Sequence, residues 1–170
     1  MAGAAFVHPA AASVLTVEVL FRDGFDPPPP APSNDTCATA PTLIVGIPVN
    51  GTTTGASNDY DSGLETCTGY SQAGGDVAYS VLLAASTPYT ITLSNLNNWV
   101  DASISLLGPG TASVCSASPV ICLKGADNGF FGEPEVLQFT PSSSGTYYII
   151  VDSFFSGPYS GGKFTIDVTQ

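Results

Sequence analysis

The chain has 170 residues, enough for one well-filled core, and carries fourteen acidic groups against three basic ones for a net charge of −11. So acidic a chain repels phosphate backbones and anionic lipid, which sets nucleic acid aside as a partner. No run approaches the ~20 apolar residues of a membrane-spanning helix, and plentiful Gly, Pro, Ser, Thr, Val and Tyr favour short strands and turns.

The first element in chain order is a strand. In SVLTVEVLFRD, Leu15, Val17, Val19 and Phe21 fall on one face, with Thr16, Glu18 and Arg22 on the other. PPPPAPS follows as a stiff polyproline II spacer, whose residues at ~3.1 Å each hold the strand ~20 Å from what comes next. A bare apolar strand is an aggregation hazard, and its economical partner is a groove or open sheet edge of the next identical subunit. Such a contact is heterologous and repeats into a filament unless the rotation closes a ring. The expected division is a tail with a donor strand over 1–26, a proline-rich linker over 27–33 and a β-sandwich over 34–170.

From Thr42 the chain breaks into short apolar runs separated by Gly, Pro, Asn, Asp and Ser. The predicted strands are 42–49, 51–57, 76–84, 89–96, 102–108, 120–126, 135–141, 145–154 and 162–169, with no stretch of convincing helical period. Tyr89, Ile91 and Leu93 alternate with Thr90, Thr92 and Ser94, and Phe164, Ile166 and Val168 alternate with polar partners, so each strand buries one face. TYYIIVD is apolar on both faces and reads as a central strand.

The four cysteines, Cys37, Cys67, Cys115 and Cys122, form no CxxC pair and have no histidine near them, so they read as disulfides and imply an oxidising compartment. Of the three pairings, Cys37 with Cys67 and Cys115 with Cys122 is favoured, because the second brackets a short Pro-containing loop able to close as a hairpin.

Taken in order, NDTCATAPTL, GTTTGASNDYDS, GGDVAYSVLL, DASISLL and SSSGTYYIIVDSF resemble the bacterial pre-peptidase C-terminal domain family over residues 34–170. The resemblance implies a jelly-roll-like antiparallel β-sandwich, exported by bacteria and not itself catalytic. It also implies association with insoluble polymers such as collagen or chitin and, in some members, calcium.

The residues agree that catalysis is not expected. The single histidine, His8, lies in the tail beside Pro9, which removes Ser/His/Asp and Cys/His mechanisms. GYSQAG has its second glycine one position too late for a nucleophile elbow, and most acids cluster with Gly and Asn as turn formers. NDYDSGLE places Asp59, Asp61 and Glu65 close together as hard oxygen ligands for calcium, with Asp76, Asp101, Asp127 and Asp152 as further strand-end acids. Tyr60, Tyr70, Trp99 and the loop SFFSGPYSGG offer aromatic faces to a sugar or peptide polymer. Asn34 and Asn50 head glycosylation sequons in predicted loops. The expected function is a secreted structural subunit that polymerises by donating residues 14–21 to its neighbour. The alternative is an extracellular binding module for a polysaccharide or protein polymer.

Overall fold

A computed structural model describes residues 29–60, 65–117, 120–157 and 161–170. The donor strand with Leu15, Val17, Val19 and Phe21 lies outside the described residues, as do Asp61 and the side chain of Glu65. The described strands are β1 (Thr42–Leu43), β2 (Val49–Thr52), β3 (Val77–Leu83), β4 (Tyr89–Ser94), β5 (Ala102–Leu107), β6 (Cys122–Ala126), β7 (Glu135–Phe139), β8 (Gly145–Ser153) and β9 (Lys163–Thr169). One helical turn, α1 (Glu65–Thr68), and two 3-10 turns, Cys37–Thr39 and Ala112–Ser116, complete them.

The strands form two sheets, ordered β1-β3-β8-β5-β6 and β2-β9-β4-β7, antiparallel throughout except for the two-residue pairing of β1 with β3. Alternation builds the core between them. Tyr89, Ile91 and Leu93 of β4 and Phe164, Ile166 and Val168 of β9 face Val77, Tyr79 and Val81 of β3, Ile104 and Leu106 of β5 and Tyr147, Ile149 and Val151 of β8. Period-two geometry sends all these side chains inward and their polar neighbours outward, so the burial of each strand follows from its sequence.

β8 is central and buried on both faces, as its double apolar pattern demands. Its outward residues Tyr148 and Ile150, with Ala78 and Leu107, form a second core under Cys37, Tyr60, Cys115 and Val120. This cover is made of irregular segments, and the disulfides hold it in place. Cys37 is joined to Cys115 and Cys67 to Cys122, with Cα separations of 6.4 and 5.8 Å, which corrects the pairing favoured from sequence. Cys115 sits on a 3-10 turn packed against the turn that holds Cys37, whereas Cys122 opens an edge strand under α1. Gly125 permits that approach, since a Cβ there would lie 2.9 Å from the Cys67 backbone.

Two predicted strands are redrawn. The run 42–49 breaks after Leu43 at a turn where Gly46 has φ +83°, and 51–57 does not form a strand of its own: β2 ends at Thr52 before Gly55 turns at φ +81°. Asn50 therefore lies on β2 rather than in a loop.

The antiparallel order gathers the segments that precede β3 and those linking β4–β5, β6–β7 and β8–β9 at one end of the sandwich.

Candidate functional site

That end carries every exposed aromatic side chain among the described residues: Tyr70, Trp99, Phe130, Phe131 and Phe155. Phe130, 72 % exposed, and Phe131, 50 % exposed, stand on the β6–β7 loop, which folds around a carboxylate. Glu135 Oε1 accepts the amides of Asn128, at 2.9 Å, and Gly129, and Glu133 Oε2 accepts the amide of Phe130 at 3.1 Å. With its amides drawn inward, the loop turns its two Phe rings out. Phe131 stacks on Phe155, Phe155 meets Phe154 edge-on, and Phe154 meets Tyr70 edge-on, so rings from three loops run together. Trp99 is steadied by its indole N–H, which donates to the Gly161 carbonyl at 3.3 Å.

Beside these rings lies a cleft of about 400 Å³, lined by Tyr70, Phe130, Phe154, Asp101, Asp127, Asn128 and Gly129. Asp101 precedes β5, Asp127 follows β6 and Glu135 begins β7, so the sheet ends bring three carboxylates together. Burial, followed by the negative charge of Asp127, pushes Asp101 above the usual carboxylate range. Asp127 is raised by burial and partly eased by Gln72, whose Nε2 donates to its Oδ2 at 2.8 Å. Glu135 is raised by burial against the pull of its two loop amides, with Asp127 and Asp101 adding to the rise. Gln72 Oε1, Asp101 Oδ1 and Glu135 Oε2 are buried acceptors with no donor. Among the described residues, no three His, Cys, Asp or Glu side chains are set to hold a metal ion.

The sequence candidates fall in several places. Asp76, fully buried, accepts the amides of Asp59 and Tyr60 through Oδ2 at 2.8 and 3.0 Å, and burial raises it to about 7. It thus meets Asp59 as a brace for the backbone, while Asp101 and Asp127 gather with Glu135. Asp152 is buried in β8, where its Oδ1 accepts the Ser153 amide at 2.7 Å. Tyr60 does not belong to the aromatic surface: it is buried in the second core, and its hydroxyl accepts the Cys37 amide at 2.7 Å. Asn34 donates its side-chain N–H to the Ala78 carbonyl at 3.2 Å, and Asn50 Oδ1 accepts from Thr165 Oγ1 at 2.9 Å. Sequence reasoning missed Phe130, Phe131 and Glu135. The signal was present as two consecutive aromatics inside a Gly-bounded turn, GADNGFFGEPE, which no core strand could absorb.

Fold and site together define a disulfide-stapled β-sandwich that presents aromatic loops at one end. No family model matches the chain, and no curated protein matches it. Among solved structures, it is similar to the pre-peptidase C-terminal domain of a Bacillus anthracis collagenase, at 15 % identity and TM-score 0.48 over 76 % of this chain and 93 % of that one. A periplasmic inhibitor of g-type lysozyme from Aeromonas hydrophila, PliG, matches at 14 % identity and TM-score 0.44, covering 76 % and 92 %. CorA, a surface-associated copper-binding protein of Methylomicrobium album BG8, matches at 14 % and 0.48, covering 76 % and 96 %. The first is of the family that residues 34–170 resemble in sequence.

Proposed function

We propose that this chain is an extracellular binding module that holds a polysaccharide across its aromatic end, acting by adhesion rather than turnover. The observation that supports this is the confinement of all exposed aromatic side chains among the described residues to one end of the sandwich. Contiguous exposed apolar surface marks an interaction site, and flat rings on separate loops present successive apolar faces to successive sugar rings. The two disulfides suit an oxidising compartment outside the cell, and no helix among the described residues is long and apolar enough to cross a membrane. Retention on insoluble polysaccharides tests the reading. The chain should be retained, and a Phe130→Ala/Phe131→Ala variant of unchanged melting temperature should wash through. Equal retention of the two proteins refutes it.

A second reading is supported by a different observation. Along the side of the sandwich where β2 is the outermost strand, a groove of about 840 Å³ is lined by Pro32, Asn34, Val49, Gly51, Tyr79 and Phe164, among others. Residues 14–21 of a neighbouring copy would add a strand to that edge and join subunits head to tail into an extracellular filament. Deleting residues 1–26 should abolish polymers in electron micrographs, and an unchanged assembly eliminates strand donation. Calcium at Asp59, Asp61 and Glu65 is a separate proposal, which an unchanged melting temperature after chelation eliminates.

A further inference from the structure

We infer that the cleft beside Phe130 takes a protonated amine, so that the polysaccharide held across the aromatic end is one bearing free amino groups. The inference rests on the polysaccharide reading and names the sugar chemistry it would select. Three rings, Tyr70, Phe130 and Phe154, and two carboxylates, Asp101 and Asp127, line the same cleft. Both kinds of wall attract a cation, the ring faces through their quadrupole and the carboxylates through charge-assisted hydrogen bonds.

The groups behind the wall make the same demand. Glu135 is 1 % exposed and Gln72 is 2 % exposed. Gln72 gives its N–H to Asp127, so its free Oε1, on the same amide, lies at the carboxylates, and Glu135 Oε2 and Asp101 Oδ1 also lack donors. The site therefore holds a surplus of buried acceptors and negative charge, and a burial of that kind is costly until donors or a counter-charge arrive. Among the described residues the two lysines are placed elsewhere: Lys124 lines a cleft with Tyr89 and Gln138, and Lys163 lines the groove beside β2. An ammonium group brings three donors, a positive charge and no acceptor, whereas a sugar hydroxyl brings one donor and no charge. Among the described residues, no three carboxylates are set around a common centre as a metal ion would need.

The test compares the β-1,4-linked glucosamine tetramer with its N-acetylated counterpart by isothermal titration on the full chain. Physiological salt screens the general attraction of a −11 protein for cations. The free-amine tetramer should bind about tenfold more tightly, a difference of about 1.4 kcal/mol. Asp127→Asn should erase that preference. Asp167→Asn, which removes the same charge from β9, should keep it. Phe130→Ala, at a position 72 % exposed, should weaken the amine tetramer at an unchanged melting temperature. Equal affinity for the two tetramers, or equal damage from Asp127→Asn and Asp167→Asn, overturns the amine while leaving the polysaccharide reading in place. Tri-lysine binding that Asp127→Asn abolishes, with both tetramers inert, overturns the sugar as carrier. Calcium binding that Asp127→Asn abolishes, with no amine preference, overturns the inference in favour of a metal. No binding to these tetramers or to any insoluble polysaccharide removes both readings together.

Discussion

The rings of Phe131 and Phe155 stack with centroids 5.2 Å apart and planes 10° from parallel, although they stand on different loops. Each ring therefore fixes the other's orientation at the surface. In a double-mutant cycle of Phe131→Ala and Phe155→Ala, the coupling measured by chemical denaturation should be about 0.5–1.5 kcal/mol. Either single variant should lose most polysaccharide retention. Retention that survives the loss of both rings would show that the stack is only a loop clamp.

The disulfides hold the irregular cover over the outer face of the five-stranded sheet, so their loss should act on stability before function. Non-reducing peptide mapping should recover Cys37 with Cys115 and Cys67 with Cys122. Removing either bridge with paired serines should cost about 2–5 kcal/mol in denaturant unfolding. Recovery of a Cys115–Cys122 peptide would contradict the described cover.

Stability should fall as pH rises from about 4 to about 7. Burial lifts Asp76 from 3.8 to about 7, so the folded chain keeps a proton there that the unfolded chain releases. The stabilisation is complete below the unfolded value and is lost as pH passes through the folded one. Asp101, Asp127 and Glu135 are raised by burial too and act in the same sense. Melting temperatures at pH 4.5 should exceed those at pH 7.5, and Asp76→Asn should flatten the slope by keeping an acceptor for the Asp59 and Tyr60 amides without a charge. A melting temperature that climbs with pH over this window refutes the assignment.

Tyr60→Phe should lower stability by about 1–3 kcal/mol, because it leaves the Cys37 amide, now bonded to the Tyr60 hydroxyl at 2.7 Å, without an acceptor. Polysaccharide retention should not change, since the ring is buried in the second core. A selective loss of retention at unchanged stability would return Tyr60 to the binding surface.

Much of this fold is legible residue by residue. Tyr89, Ile91 and Leu93 reveal their face by alternation, and the doubly apolar TYYIIVD reveals a strand covered on both sides. The site is less so. Tyr70, Trp99 and the SFFSGPYSGG loop were legible as aromatics outside strands, yet Tyr60 looked alike and is core. Asp101 and Asp127 were visible as strand-end acids, but nothing local distinguishes the carboxylates that meet Glu135 from Asp76, which braces Asp59 and Tyr60.

By itself the sequence determined the strands from residue 76 onward and which way most of their side chains point, because side-chain alternation is set by local backbone geometry and needs no partner. Charge carried the expectation that nucleic acid is not a partner, and cysteine content the expectation of disulfides, of which the structure holds two. Only the tertiary structure decided the cysteine pairing, the second core and the single end to which the rings of Tyr70, Trp99, Phe130, Phe131 and Phe155 converge. Those depend on the order of strands across two sheets, where residues far apart in the chain become neighbours, and that order follows from how the whole set of apolar faces packs at once.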